Sequence, residues 1–517
     1  MLQELFDKYQ NKEIDIFAIP KDLQKDFTQR LARAYEMEIS LQKRVEKENA
    51  LLLSTEQMRY FGAMVLKKET QFLTIGLISP IQKSHKDTLK RIFSQYKIHF
   101  ELMFLSDFLR LLPWLEVEEQ IKVLLQKIQN ELDSKNSQNS SLMELLRVIL
   151  QEALLKNASD IHFEKDENCV VRMRLDGVLL ERFSLPAWIF NPLVLCLKLL
   201  AKLDITESTF PQDGRFSFEL QEKKSEEKKS QESKSQEKIL DFRISTLPLL
   251  ESESVVLRIL DREKTIMPLE GLGFQKEHLE VLTKLYNLPY GLVFITGPTG
   301  SGKSTTLYGI LNKIKEKNLK IITLEDPVEY KISKISQAQM SKKMSFANAL
   351  RSVLRQDPDV IMVGEIRDKE TLQIAIQAAF TGHLVFSTLH TNDALDTIVR
   401  LLDMGIEPYF IAQSLSGIIA QRLLRKLCAH CKKEENGKII ACGCEACNFS
   451  GYAGREAIAE VLEMDGDLED FIYKKITKEQ AIMRLEQKNP NFSLQKQALL
   501  RVKKGLSDFS EMQRVVR

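Results

Sequence analysis

Short runs of apolar residues alternate with segments of helical pattern between residues 292 and 388. Repeated strand–helix alternation predicts a mainly parallel sheet with helices on both faces, the arrangement of an α/β fold. Such sheets bind their ligands at the carboxyl ends of the strands. The predicted strands cover 292–296, 320–324, 360–363 and 384–388, and the predicted helices begin at Lys303 or cover 347–354 and 371–381.

Two further patterns lie upstream of this region. Leucines and isoleucines recur at helical spacing from Leu142 to Leu150 and predict an amphipathic helix that opens a domain. Strand-like segments at 215–220 and 239–244 flank the polar run 223–238, which has no aliphatic or aromatic residue. This arrangement predicts a β-hairpin whose tip carries a solvated insertion.

Breaks between these patterns divide the chain into three predicted domains. Helical spacing at 117–132 indicates the end of a first domain, and a Ser/Asn-rich run follows it as a linker. A glycine-containing turn at 268–273 marks the start of the third domain. The predicted division is 1–133, a linker at 134–141, 142–265 with an insertion at 223–238, and 266–517, with a cysteine-rich element at 428–447.

Composition is that of an ordinary globular protein, and it excludes wholesale disorder and a collagen-like fibre. The chain has 517 residues with 74 Lys and Arg against 72 Asp and Glu, so the net charge of +2 favours no particular partner. No apolar run has the length of a signal peptide or a membrane helix. Of the seven cysteines, five lie between Cys428 and Cys447, which suits a reduced compartment, and we expect a cytoplasmic protein.

A phosphate-binding loop is the most specific motif in the sequence. Residues 297–304 match G-x-x-x-x-G-K-[ST], with a predicted strand before them and a predicted helix after them. Main-chain amides and the helix N-terminus would hold phosphates, Lys303 would reach the β- and γ-phosphates, and the Ser304 hydroxyl would bind Mg²⁺. The predicted ATP-binding residues are Gly297, Pro298, Thr299, Gly300, Ser301, Gly302, Lys303, Ser304 and Thr305.

Acidic residues near the ends of other predicted strands are the candidates for catalysis. Many phosphate-loop enzymes carry an Asp where Gly364 stands, so the metal would depend on Ser304, the phosphates and water. Glu365 is the candidate to orient the attacking water, and His390 is the candidate to sense the γ-phosphate. Carboxylates that could hold a water shell around Mg²⁺ are Glu325, Asp326 and Glu329.

Four segments together resemble the secretion ATPases of type II secretion and type IV pilus assembly. They are GPTGSGKST, TLEDPVEY, DPDVIMVGEIRD and TGHLVFSTLHTNDA, in that order, and they resemble the family's Walker A motif, Asp box, atypical Walker B motif and His box. The resemblance extends to about 142–463. It implies a RecA-like ATPase domain preceded by a PAS-like α+β domain and a small, variable N-terminal domain.

The resemblance also implies activity and partners. It implies a Mg²⁺-dependent homo-hexameric ATPase, peripheral to the cytoplasmic face of the inner membrane, that acts on a membrane platform protein and assembles pilin-like filaments. A cytoplasmic docking protein would bind residues 1–133, and no direct nucleic-acid contact is expected. Family members use arginines of the PAS-like domain against the nucleotide phosphates, and by position these are Arg215, Arg243 and Arg258.

Two C-x-x-C knuckles predict a structural zinc site. The predicted tetrahedral ligands are the thiolates of Cys428, Cys431, Cys444 and Cys447. Cys442 or His430 could replace one of them. Basic residues including Arg422 and Arg425 would offset the negative thiolate charge. Assembly-type members of the family carry such an element, so it favours assembly or secretion over retraction.

Three alternatives stay open at this stage. The absent Walker B Asp motivates a scaffold or regulator of the same machinery that binds ATP without turnover. A nucleic-acid motor on the same core lacks support, because no aromatic-interleaved basic stripe is present. Type II secretion, a type IV pilus and a DNA-uptake apparatus share this kind of motor, and the sequence does not choose among them.

Overall fold

The computed structural model describes residues 2–40, 45–80, 82–133, 140–221, 237–260, 266–341, 344–435, 437–444 and 447–516. Most of the predicted linker and most of the predicted insertion lie outside these residues. Separate hydrophobic cores divide the described chain into an N-terminal, a middle and a C-terminal unit. None of the helices in these ranges combines the length and the apolar character that crossing a bilayer requires.

The N-terminal unit is a three-stranded sheet with helices packed around it. Strand β2 lies in the centre, antiparallel to β1 and parallel to β3. The elements are α1 (Leu2–Gln10), α2 (Gln24–Tyr35), α3 (Lys47–Ala50), α4 (Thr55–Phe61), β1 (Ala63–Lys68), β2 (Phe72–Leu77), α5 (Lys83–Ile92), β3 (Lys97–Leu102) and α6 (Leu105–Asp133).

Helix α6 belongs to two units. Leu115 is buried in the N-terminal core, whereas Ile121 and Leu124 are buried in the core of the middle unit. The predicted helix at 117–132 is confirmed, but it does not close the first domain. The reason is that its apolar positions pack against the helix that follows it, so the first core ends inside α6.

A buried ion network also fastens α6 to the middle unit. The Arg182 guanidinium lies 2.7 Å from a Glu118 oxygen on α6 and 2.8 Å from a Glu152 oxygen on the next helix. All three side chains are almost fully buried. Because removing one partner would leave an unpaired charge out of water, this network holds the two units in one arrangement.

The middle unit is an antiparallel sheet of six strands in the order β6-β5-β4-β9-β8-β7, with two helices packed on one face. The helix predicted from Leu142 onward is confirmed as α7, and the predicted hairpin is confirmed as the pair β7 and β8. The elements are α7 (Ser140–Leu155), β4 (Asp160–Lys165), β5 (Cys169–Leu175), β6 (Val178–Leu185), α8 (Phe190–Leu200), β7 (Gln212–Gln221), β8 (Glu237–Pro248) and β9 (Glu253–Leu260).

The C-terminal unit confirms the predicted α/β architecture. Its seven strands lie in the order β12-β11-β13-β14-β10-β15-β18, and neighbours are parallel except for the antiparallel pair β15 and β18. Phe294 of β10 faces one hydrophobic core and Ile295 faces the other, so helices cover both sides of the sheet. This double burial explains why the predicted strands are solid apolar runs.

The elements of this unit are α9 (Lys276–Leu285), β10 (Gly291–Thr296), α10 (Lys303–Ile314), β11 (Ile321–Glu325), β12 (Ser336–Gln339), α11 (Phe346–Val353), β13 (Val360–Val363), α12 (Lys369–Phe380), β14 (Leu384–Leu389), α13 (Ala394–Asp403), α14 (Pro408–Ser414), β15 (Leu415–Leu427), β16 (Lys433–Glu435), β17 (Lys438–Ile440), β18 (Tyr452–Glu463), α15 (Gly466–Ile472), α16 (Lys478–Lys488), α17 (Leu494–Lys503) and α18 (Phe509–Val515). Predicted and observed bounds differ by at most two residues at each end in the region 292–388.

Candidate functional site

The phosphate loop connects the end of β10 to the start of α10. Gly297 has φ of 144° and Gly302 has φ of 90°, a region that side chains with a Cβ rarely adopt. A Cβ at Gly297 would also lie only 2.5 Å from the Gln421 carbonyl oxygen on β15. Glycine is therefore required here both by the turn and by the close approach of the neighbouring strand.

The Lys303 side chain folds over the loop, so that its ammonium contacts main-chain carbonyl oxygens of the loop. Its Nζ donates to the carbonyl oxygens of Gly297, at 2.7 Å, and Pro298, at 3.1 Å. Burial and the nearby Arg422 lower the pKa of Lys303 to about 8, and Glu365 only partly opposes them. The cation is thus poorly compensated by the protein, and a phosphate would supply the missing negative charge.

Glu365 and His390 face each other close to Lys303. Glu365 Oε2 lies 3.8 Å from His390 Nε2, and Glu365 Oε1 lies 2.5 Å from an Arg367 nitrogen. Burial and Lys303 lower the pKa of His390, so the imidazole is neutral at pH 7. The structure therefore brings together the lysine, the carboxylate and the histidine that the sequence predicted, although they come from three separate strand ends.

The three other candidate carboxylates have different surroundings. Glu329 Oε1 lies 3.5 Å from the Ser304 hydroxyl, and burial and the nearby Glu325 raise its pKa. Glu325 is only 4% exposed, and its carboxylate accepts hydrogen bonds from the Tyr308 hydroxyl, the Thr323 hydroxyl and the Gln337 amide. In this conformation Glu325 supports the sheet edge, and its part in a water shell around Mg²⁺ stays a prediction. Asp326, the next residue, is exposed.

The glycine at the Walker B position has a packing explanation. The Gly364 amide donates to the Leu324 carbonyl oxygen at 2.7 Å, and a Cβ on Gly364 would lie 3.0 Å from the same oxygen. An Asp at this position would crowd strand β11. The carboxylate that an Asp would supply at this position is missing, and the adjacent carboxylate is that of Glu365.

Five charged residues form a row across the open face of the middle sheet. Neighbouring strands pair Arg174 with Asp160, Asp160 with Arg258, Arg258 with Arg243, and Arg243 with Arg215. Arg258 Nε lies 2.9 Å from Asp160. Arg215 and Arg243 are exposed, and no ion-pair partner lies near them in the part of the chain that the structure describes. The three predicted arginines thus stand side by side.

This row faces the phosphate loop across an open cleft of about 1190 Å³. The lining includes loop residues 298–301 and Glu329, together with the five residues of the row. Among the residues that the structure describes, eight arginines and lysines and three carboxylates line the cleft. The excess of positive charge suits a polyanionic ligand.

Arg422 is a site residue that sequence reasoning assigned to another role. It was expected to offset the cysteine thiolates, but it lines the cleft, is 9% exposed, and donates to the carbonyl oxygens of Gln421 and Asn392. Arg425 is likewise engaged elsewhere, with Glu511. No motif marks Arg422; only the pairing of β15 with β10 brings it beside the loop.

The four predicted cysteines converge at one end of the antiparallel pair β15 and β18. The sulfur of Cys428 lies 3.9 Å from that of Cys444, and the sulfur of Cys447 lies 3.8 Å from those of Cys431 and Cys444. A tetrahedron with Zn–S bonds of about 2.3 Å has S–S edges of about 3.8 Å, so the set fits zinc. The amides of Cys444 and Gly451 donate to the Cys447 sulfur.

The two alternative ligands do not join this cluster. Neither His430 nor Cys442 belongs to the group of ligand atoms that lie within 4.8 Å of one another, and His430 is exposed. The element also contacts the N-terminal part of the chain, because the rings of Phe449 and of Trp114 on α6 pack edge to face with their centres 6.4 Å apart. The cysteine cluster therefore lies at the contact between the first and last units.

Comparison with known proteins identifies relatives for most of the chain. Residues 135–514 match the family model described as type II/IV secretion system protein. The type II secretion system ATPase E of Vibrio cholerae is 40% identical over 409 residues, covering 75% of this chain and 78% of that protein. The type IV pilus assembly ATPase PilB of Myxococcus xanthus is 41% identical over 381 residues, covering 69% of this chain and 65% of that protein.

A solved structure shares the fold. The X-ray structure of the ATPase DotB from Yersinia pseudotuberculosis has a TM-score of 0.56 and covers 72% of this chain and 93% of that protein. Its sequence identity is 22%, so the likeness concerns the fold alone.

We expect about one zinc per chain when the protein, purified without chelator, is measured by elemental analysis. Cys444→Ser should lower the zinc content to well below half, because the cluster loses a buried ligand. Cys442→Ser is the matched control and should keep the full content. Equal loss in both variants would contradict the four-cysteine ligand set.

We expect nucleotide binding to weaken as the pH rises above 8. The Lys303 pKa of about 8 means that the ammonium loses its proton in the nucleotide-free protein, whereas bound phosphates would keep it charged. The Kd for Mg-ATP should rise about tenfold from pH 7 to pH 9. Calorimetry in buffers of different ionisation enthalpy should detect proton uptake at pH 8.5.

Lys303→Arg is the control for this pH dependence, because a guanidinium stays charged throughout the range. Its Kd should change little between pH 7 and pH 9. A wild-type Kd that is constant over the same interval would contradict the depressed pKa of Lys303.

Proposed function

The chain belongs to the family of type II/IV secretion system proteins, and on that premise we propose how its residues carry out ATP-driven work. It is a P-loop ATP hydrolase that serves protein secretion or pilus assembly. One observation carries the assignment: a complete phosphate loop at residues 297–304 opens onto a cleft with excess positive charge.

ATP binds with its phosphates on the main-chain amides of the loop and at the N-terminus of α10. Lys303 exchanges the carbonyl oxygens of Gly297 and Pro298 for phosphate oxygens, since a charge-assisted bond is the stronger one. Arg422 adds a second, nearly buried cation beside the lysine.

The Ser304 hydroxyl and the Glu329 carboxylate provide the oxygen ligands and water partners that Mg²⁺ prefers. When bound, Mg²⁺ offsets the negative charge of the β- and γ-phosphates. Burial and the nearby Glu325 raise the pKa of Glu329, and a bound cation would favour its ionised form.

Glu365 acts as the general base of hydrolysis. It takes a proton from a water molecule as that water attacks the γ-phosphorus, while the bond to the β–γ bridging oxygen breaks and ADP leaves. The neutral His390, 3.8 Å away, orients this carboxylate and contacts the γ-phosphate. Arg367 forms an ion pair with Glu365 and holds this carboxylate in place.

Arg215 and Arg243 stabilise the charge that develops on the transferred phosphoryl group. Both are exposed on the row that faces the loop. Arg258 remains tied to Asp160 in this open form. Closure of the cleft would bring the row onto the phosphates, and this movement between the middle and C-terminal units is the mechanical output.

The working assembly is a homo-hexamer that associates peripherally with the cytoplasmic face of the inner membrane. It acts on a membrane platform protein to build a pilin-like filament in type II secretion, a type IV pilus or a DNA-uptake apparatus. Residues 1–133 form the docking domain for a cytoplasmic partner. The tetracysteine zinc element, with its fitting sulfur geometry, supports an assembly motor over a retraction motor.

The second candidate function is an ATP-binding scaffold or regulator of the same machinery that does not turn over ATP. One observation favours it: Gly364 occupies the position of the Walker B Asp, and a Cβ there would lie 3.0 Å from the Leu324 carbonyl oxygen, a tight contact. Phosphate release by the purified protein decides between the two functions.

We expect Glu365→Gln to bind Mg-ATP with an affinity close to that of the wild type but to release phosphate about 10²- to 10⁴-fold more slowly, because the general base is lost. Lys303→Ala should lose binding itself. Steady-state phosphate release and equilibrium binding of a fluorescent ATP analogue measure the two effects.

Glu370→Gln is the matched control, since Glu370 is an exposed carboxylate on α12 that pairs with Arg351. It should hydrolyse ATP normally. Normal turnover by Glu365→Gln would contradict the proposed base, and no turnover by the wild-type oligomer would favour the scaffold.

We expect Arg215→Ala to lower kcat by about 10³-fold while the Kd for Mg-ATP changes much less, because the arginine acts on charge that develops during the reaction. Arg147→Ala is the control: Arg147 lies on α7, which packs on the other face of the same sheet. Equal kcat values in the two variants would contradict the role of the row.

A further inference from the structure

The last helix of the chain returns to the nucleotide cleft. Helix α18 packs on β15 and α17. Two of its residues, Arg514 and Val515, belong to the lining of the cleft together with loop residues 298–301. The mechanism proposed above makes no use of either residue.

Arg514 is held in place by a carboxylate that has no exposure to solvent. Glu511 is 0% exposed, and its oxygens accept from Arg514 Nε at 2.7 Å and from the terminal nitrogen at 2.6 Å. The same carboxylate accepts three hydrogen bonds from Arg425, one from its amide and two from its guanidinium. A fully buried carboxylate with five charge-assisted or amide donors is a rigid anchor.

The residues that hold Glu511 in place are themselves held by further contacts. Asp508 accepts from the Glu511 amide at 2.9 Å and from the Tyr452 hydroxyl at 2.9 Å, so it caps the first turn of α18. The Arg425 guanidinium lies 3.9 Å from the centre of the Tyr452 ring. Arg514 is therefore pre-positioned, yet 46% of its side chain stays exposed.

The lining of the cleft relates Arg514 to a bound nucleotide. Lys303, Ser304, Glu365 and His390 are not among the described residues that line this cleft, whereas Glu329 and the arginine row are. Arg514 and Val515 reach the cleft from the C-terminal unit, which also carries loop residues 298–301, and the arginine row reaches it from the middle unit. A nucleotide whose terminal phosphate lies at Lys303 therefore extends from the loop into the cleft that Arg514 lines.

The part of the lining that the C-terminal unit supplies combines apolar and planar cationic groups. Leu423 and Val515 supply partly buried apolar surface, and the Arg514 guanidinium offers both donors and a flat face. A nucleobase and ribose match this chemistry, because the base stacks on a guanidinium plane and the ribose accepts hydrogen bonds.

We propose that Arg514, anchored by Glu511, contacts the base and ribose of the bound nucleotide and sets the affinity for ATP. This proposal rests on the proposed ATPase function. It makes the C-terminal helix part of the nucleotide site and Glu511 a positioning residue that acts through Arg514.

The test compares two ligands that share a triphosphate but differ in the base and ribose. Equilibrium binding of Mg-ATP and of magnesium tripolyphosphate is measured for the wild-type full-length chain and for Arg514→Ala and Arg514→Lys. We expect the Kd for Mg-ATP to rise about tenfold in Arg514→Ala, as for the loss of one charged contact, while the Kd for tripolyphosphate stays unchanged. KM should rise more than kcat falls, and Arg514→Lys should recover only part of the affinity.

Arg484→Ala is the matched control, because Arg484 lies in the same unit, is 42% exposed and is paired with Asp467, but does not line the cleft. Its two Kd values should equal those of the wild type. A lowered thermal midpoint of Arg514→Ala with an unchanged Kd for Mg-ATP would overturn the proposal, since that result indicates a structural role only.

Equal weakening of ATP and tripolyphosphate would also overturn it, because Arg514 would then act on phosphates. Failure of the wild-type chain to bind Mg-ATP would instead refute the proposed function itself. If Arg514→Ala does not fold, the ratio of the two Kd values in Arg514→Lys decides the question.

Discussion

Positive charge that the protein itself does not balance is the constraint on which the functional part of the structure depends. In the described part of the chain, eight cations and three carboxylates line the cleft, and burial beside Arg422 lowers the pKa of Lys303 to about 8. Holding like charges together costs free energy, and a polyanion at the loop recovers it. The loop, the arginine row and the C-terminal helix are all arranged around this missing negative charge.

The period-two geometry of strands lets the middle sheet serve packing and chemistry at once. Phe242 and Ile244 point into the core, and Arg243 between them points to the cleft. Strand pairing then aligns Arg215 and Arg258 on either side of it. A stable core on one face therefore fixes the spacing of the arginines on the other.

Strands β15 and β18 connect several functions in the last unit. They pair antiparallel at the edge of an otherwise parallel sheet, and they carry Arg422 to the loop and the cysteine knuckles to their far end. The ring contact between Phe449 and Trp114 places that cysteine element against α6. Because α6 shares two cores and pairs with Arg182, the cysteine element contacts a helix that is common to the N-terminal and middle units.

Local pattern predicted the hairpin at 215–244, the strands β10, β11, β13 and β14 with their helices, the loop at 297–304 and the four clustered cysteines, because periodicity, glycine spacing and C-x-x-C spacing are properties of neighbours in sequence. Glu365, His390 and Lys303 were predicted one by one, yet only the parallel order β13-β14-β10 brings them together. The tertiary structure alone decided the positions of Arg422 and Arg514 in the cleft and the engagement of Glu325, because each depends on contacts between segments far apart in the chain, which no local pattern encodes.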